Sequence, residues 1–240
     1  MLGVSFTAEA GRVGGFEPGD PALTKAGDGS VQGTFQGVAP TEGTKQYLIT
    51  TIASNDGDGL NPVSGTDAVP NSGAGSLQSF FNNTGLTGTE GSGFLLPFTV
   101  SAGDQFLTLQ YDFLTNEIAP NHNDFAFALT FNSANTLTGG VRTITTANLE
   151  QANLSLLSNQ NGPFQFHTGY RTFSISLAGF APGTYSLGVG VEDRTTTDIP
   201  SGVLVDNVQI VPAAVPEPST IGLIIAGAVS CLAVRRRIKK

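Results

Sequence analysis

Tryptophan is absent from this 240-residue chain, cysteine and methionine occur once each, and only 12% of residues are Asp, Glu, Lys or Arg. Each shortage removes a class of explanation. The one cysteine, Cys231, lies in an apolar stretch near the C-terminus, so the rest of the chain has no thiol to close a disulfide, bind zinc or attack a substrate. The two histidines, His122 and His167, form no HExxH pair or metal-ligand spacing, and no serine sits in a GxSxG elbow. Phosphate loops and dinucleotide-binding glycines are missing too. Basic residues are few, and five of the eleven (Arg235, Arg236, Arg237, Lys239 and Lys240) occupy the last six positions. Without that tail and without Glu217, 6 basic and 18 acidic residues remain, a balance of −12. Such a surface repels phosphate backbones, which argues against nucleic acid as a partner and favours divalent cations.

What is abundant is Gly, Thr, Ser and Asn, a composition suited to many short strands joined by turns. Period-two alternation supports that reading. In Phe106 to Leu114, Leu107, Leu109, Tyr111 and Phe113 share one face; in Asp124 to Phe131, Phe125, Phe127, Leu129 and Phe131 are expected to face inward, with the small Ala126, Ala128 and Thr130 behind a central strand. Phe173, Ile175 and Leu177, then Tyr185, Leu187, Val189 and Val191 after the turn Ala181-Pro182-Gly183, predict a hairpin. Gln46 to Ile52, Phe94 to Val100 and Val203 to Val211 supply further strands, while Thr146 to Leu157 reads as a helix or as a loop with a short strand. The expected fold is all-β: one antiparallel β-sandwich of the jelly-roll type, for which the length suffices.

Three physical elements abut at the C-terminus. Val215-Pro216-Glu217-Pro218-Ser219-Thr220 is an extended, helix-refusing peptide that a protease can hold as a strand. The apolar run Ile221 to Val234 rises about 21 Å as a helix, short of the roughly 30 Å hydrocarbon core until Ser219, Thr220 and snorkelling arginines are counted. The basic cluster 235–240 stays cytoplasmic and places the rest of the chain outside. Together these resemble the PEP-CTERM sorting signal, which implies recognition by an exosortase, cleavage near Pro216 to Pro218, and display at the cell surface or in extracellular polysaccharide. Export calls for a leader. Met1 to Ala10 lacks a basic n-region and a long apolar stretch, but Ala8-Glu9-Ala10 has the small-x-small pattern of a signal-peptidase site. The expected organisation is therefore 1–10 as the remnant of a truncated signal peptide, 11–212 as the jelly-roll ectodomain, and 213–240 as the sorting signal, with its motif at 215–220, a transmembrane helix at 221–234 and a basic tail at 235–240.

Gly14-Gly15-Phe16-Glu17 near the start and Val205-Asp206-Asn207-Val208 near the end resemble the first and last strands of galactose-binding-like jelly rolls, including many carbohydrate-binding modules. That resemblance implies that the two segments meet around a structural calcium with Glu17 and Asp206 as ligands. The middle region, from Gly91-Ser92 through Phe98 to Asp104 and on to Asn123-Asp124-Phe125-Ala126-Phe127, resembles exported PEP-CTERM jelly-roll proteins, a likeness that brings a fold and an address but no substrate.

Asp112, Glu117, Asn123 and Asp124 gather around one inter-strand loop. They read as a second calcium site, a sugar-contacting polar patch, or a turn rich in Asx hydrogen bonds. The stretch Asn55-Asp56-Gly57-Asp58-Gly59-Leu60-Asn61 departs from a calcium loop at Leu60 and Asn61 and reads as a turn. A glycosidase would need a carboxylate pair, for which Asp112 with Glu117 or Asp124 is the first guess. The expected function is a non-catalytic module, exported and sorted by an exosortase, associated with exopolysaccharide and stabilised by calcium. The alternatives are a structural or adhesive matrix protein without a defined sugar and, behind that, a glycan-active enzyme.

Overall fold

The computed structural model describes residues 11–55, 59–82, 84–118, 123–195 and 197–213. Among them the chain forms, in order, β1 (Gly11–Gly14), β2 (Thr24–Ala26), β3 (Gly29–Gln32), β4 (Gln46–Thr50), β5 (Val69–Pro70), α1 (Leu77–Phe80), β6 (Glu90–Val100), β7 (Asp104–Thr115), β8 (Phe125–Asn132), β9 (Leu137–Thr146), α2 (Ala147–Glu150), β10 (Ser155–Leu156), β11 (Phe166–His167), β12 (Arg171–Ser176), β13 (Gly183–Glu192) and β14 (Ser201–Pro212). His122 and the motif 215–220 lie outside the described residues. No helix among the described residues is long and apolar enough to cross a membrane, and the span expected over 221–234 also lies outside them.

Two antiparallel sheets make a sandwich. The first runs β10-β11-β7-β14-β4-β3, with β1 also on β14 and β12 also on β7; the second runs β2-β6-β13-β8-β9, with β5 on β6. The main core lies between them, where alternate residues of facing strands meet: Phe94, Leu96 and Phe98 from β6, Leu107, Leu109 and Phe113 from β7, Leu187 and Val189 from β13, Val203 and Val205 from β14. Each such fully buried side chain contributes about 1.5–3 kcal/mol relative to exposure.

β8 is a central strand, as its composition suggests, but its faces are the reverse of the expected ones. Ala126 and Ala128 point into the main core, whereas Phe125, Phe127, Leu129 and Phe131 lie on the outer face, in a separate core with Leu77, Phe81 and Leu86. Both faces of this strand are buried, so apolar content alone does not say which one meets the opposite sheet. Glycines make the outer core possible. A Cβ at Gly190 would stand 2.3 Å from Phe127 Cζ, and one at Gly93 would stand 2.6 Å from Phe81 Cζ. A third core, with Leu48, Leu114, Phe164 and Leu204, covers part of the outer face of the first sheet.

The expected hairpin between 172–177 and 185–191 does not form. β12 pairs with β7 in the first sheet, β13 pairs with β6 and β8 in the second, and the intervening turn carries the chain across the sandwich. Within Thr146 to Leu157, the helix is a single turn capped by the Thr146 side chain, followed by the two-residue β10.

Candidate functional site

The chain's two ends meet. β1 pairs with the second half of β14, Gly14 opposite Val208, at the register shift between Asp206 and Gln209 where Asn207 takes φ +49°. Asn tolerates this left-handed conformation, and the irregularity leaves the wholly buried Asp206 facing the loop 41–45. Its Oδ2 accepts from Thr41 N (2.7 Å), Thr41 Oγ1 (2.9 Å) and Glu42 N (2.9 Å), and its Oδ1 accepts from Asn207 N (2.7 Å). Glu17 holds the other half of the same loop. Its Oε1 accepts from the amides of Thr44 and Lys45, and its Oε2 from Thr44 Oγ1 at 3.0 Å. The Thr44 amide is the main cause holding the Glu17 carboxyl below the usual glutamate range. Phe16, at φ +63°, turns its ring onto Tyr47 and Phe94, with centroids 5.4 and 5.8 Å away.

The predicted pair is thus brought together on one loop, but opposite N–H and O–H donors. Calcium needs six to eight oxygens. As arranged, the two carboxylates fit a hydrogen-bonded clamp rather than a calcium shell. Asp20 joins this corner, unnoticed in the sequence: its Oδ2 accepts from Gly15 N (2.9 Å), Glu17 N (2.8 Å) and Arg12 Nη2 (2.9 Å).

The second predicted set divides. Asp112 is wholly buried on the outer side of β7, where His167 Nδ1 lies 2.8 Å from its Oδ2 and Thr168 donates to Oδ1 through N (3.1 Å) and Oγ1 (3.2 Å). Burial pushes the Asp112 carboxyl up, against the pull of those partners. Glu117 and Asp124 stay together, with Asp124 N donating to Glu117 Oε2 at 3.1 Å. Burial first, and then the charge of Asp124, raises the Glu117 carboxyl well above its ordinary range. Asp193, also raised first by burial, and Glu90 join them. Neither was legible as part of this group, because each sits at the end of an apolar strand far away in sequence.

Three open pockets of about 510, 470 and 520 Å³ line the opposite end of the sandwich. The first and second share Asp104, and the second and third share Ser176 and Ala178, so they adjoin one another along this end, which is called the trough below. Phe106, 41% exposed, stands in its middle, with Phe180, Tyr185 and Arg142 at one end. Tyr185 is held by stacking on Phe98 and by donating through its hydroxyl to Ala181 O at 3.0 Å. At this same end the last described residue, Ala213, donates its amide to Gly103 O at 2.8 Å.

Beyond Ala213 the sequence decides the address, since residues 214–237 match the family model of the PEP-CTERM protein-sorting motif. The chain carries a PEP-CTERM sorting signal. It is an exported protein, anchored at the membrane through its C-terminus before processing. No curated protein matches it. Among solved structures it is similar to a carbohydrate-binding module specific for non-crystalline cellulose, at 11% identity over 87% of this chain and 98% of that one, with a TM-score of 0.47. It is also similar to the family 11 carbohydrate-binding module of a cellulosomal cellulase of Clostridium thermocellum (12% identity, 85% and 95%, TM-score 0.35) and to the K2 cleaved adhesin domain of Lys-gingipain (12%, 86% and 97%, TM-score 0.39).

Proposed function

We propose that this PEP-CTERM protein is a non-catalytic surface module, processed by an exosortase, whose trough holds extracellular polysaccharide. The observation that carries this reading is the exposed ring of Phe106 on the trough floor, with Phe180 and Tyr185 farther along and polar groups from Asp104, Ser176 and Arg142 between and beside them. Sugar rings stack their apolar faces on aromatic side chains and turn their hydroxyls to polar neighbours. An open depression suits a polymer better than an enclosed cavity does.

The carboxylates support a binding role rather than hydrolysis. A glycosidase flanks an accessible bond with two carboxyl groups. Asp112, Glu117 and Asp124 are each 0% exposed, locked under loops and strand ends. One observation favours the alternative of a structural matrix protein. The outer face of the first sheet beside Phe106 is a plain polar strip of Thr108, Gln110, Thr172 and Ser174, without rings.

Native electrophoresis of residues 11–213 through gels containing the host's exopolysaccharide separates the two. Retardation that weakens about threefold to tenfold in Phe106→Ala, the size expected for one stacking contact of roughly 0.5–1.5 kcal/mol, supports the binding module. Unretarded migration of the folded protein leaves the structural role.

A further inference from the structure

The end of the sandwich opposite the trough gathers acids from four strand ends. Glu90 opens β6, Glu117 follows β7, Asp124 precedes β8 and Asp193 follows β13. Backbone bonds fix them there: Asp193 N donates to Glu90 O at 2.9 Å, and Arg194 N donates to Asp124 Oδ1 at 3.2 Å.

Asp193 is the decisive residue. It has no exposed surface, the Asp124 side chain reaches the adjoining amide of Arg194, and neither oxygen of Asp193 meets an N–H or O–H donor among the described residues. A carboxylate removed from water needs donors or a counter-ion, and a second carboxylate near it makes that need greater. Arg194, next in sequence, holds its guanidinium over the ring of Phe125, 5.8 Å from its centroid. Asn123, beside Asp124 in sequence, also keeps its amide oxygen buried without a donor. Among the described residues no three His, Cys, Asp or Glu side chains are grouped so as to hold a metal by themselves. An ion seated here must therefore take part of its shell from amide, main-chain or water oxygens, as calcium commonly does.

We propose that the carboxylates of Asp124 and Asp193 clasp one divalent cation at this end, with Glu117 beside them and neutral oxygens completing the shell. A donor set of hard oxygens, without nitrogen or sulfur, selects calcium over transition metals. The ion ties the end of β7, in one sheet, to the ends of β8 and β13, in the other. In a body without a disulfide it is a staple between the two layers. The site stands apart from the trough and does not depend on what the trough binds.

The test uses the full chain in mild detergent, stripped with chelator and titrated calorimetrically with calcium chloride, alongside thermal melts followed by circular dichroism. The expected result is one calcium per chain and a melting temperature several degrees higher in calcium than in chelator. Asp193→Asn should lose that rise and melt no lower than the wild type in chelator, since it removes a buried carboxyl that has no donor of its own. Asp124→Asn serves as the second variant should Asp193→Asn not fold, and it should lose the rise as well. Glu17→Gln should keep it. Absence of calcium binding by the wild-type chain overturns the proposal. So does a calcium response that survives in the folded Asp193 or Asp124 variant, or one abolished by Glu17→Gln alone.

Discussion

Glu17 and Asp206, 189 positions apart, hold the two halves of one loop: Asp206 takes the amides of Thr41 and Glu42, and Glu17 those of Thr44 and Lys45. The chain's first and last strands are thereby closed by a shared segment as well as by their own ladder. The two contacts differ in weight because Asp206 is wholly buried while Glu17 is only half-buried. Asp206→Ala removes a buried carboxylate that accepts four hydrogen bonds and should cost about 2–4 kcal/mol, a fall in Tm of roughly 5–15 °C. Glu17→Ala should cost distinctly less. Thermal melts of the two variants check the order, and equal losses would count against a buried anchor at Asp206.

Acid should loosen the Glu17 half of the clamp. Its carboxyl is held below the ordinary 4.5, chiefly by the Thr44 amide. A group with a lowered folded-state pKa contributes stability that is complete above its unfolded value and is lost as pH falls through the folded one. The contact is therefore constant through neutral and mildly acidic pH and disappears only below about 4.5. Amide proton shifts of Thr44 and Lys45, followed by NMR, should titrate together in that lower window; a midpoint above it contradicts the contact.

The outer core of the second sheet depends on missing side chains. Gly190→Ala places a methyl where Phe127 lies, 2.3 Å from its Cζ, and should destabilise by about 1–3 kcal/mol through overpacking. Phe127→Ala, which opens a cavity instead, should cost about 3–5 kcal/mol. Combining the two should recover part of the loss, because the small residue vacates the space the methyl needs. Urea titrations of the single and double variants measure this coupling, and strict additivity would sink the assignment of Gly190 to that face.

The fold class was legible because alternation in 106–114 and 203–211 reflects a strand with one face on the core. β8 misled because it has two apolar faces, and its bulky residues went to the outer core while its alanines met the opposite sheet, which the glycines of β13 alone foreshadow. The turn Ala181-Pro182-Gly183 suggested local pairing, but the pairing energy of β12 and β13 lies with distant strands, which no local signal records. The meeting of Glu17 with Asp206 could be anticipated from the two end motifs. Their N–H partners could not: Pro40-Thr41-Glu42-Gly43 fits the same resemblance to exported jelly-roll proteins, but nothing in it says that its amides face these two carboxylates. Asp193 was invisible for a related reason: an acid after a strand normally ends in water, and only the packing of four strand ends buries this one.

Hydrogen-exchange mass spectrometry on residues 11–213, with and without the host's exopolysaccharide, tests the central claim most directly. Bound polymer should protect the trough segments 103–106, 138–142 and 176–180 and leave 41–45 and 123–124 unchanged, and Phe106→Ala should reduce the protection at equal polymer concentration. Protection confined to other surfaces, or none in a sample that keeps its β-sheet spectrum, would contradict the trough as a polysaccharide site.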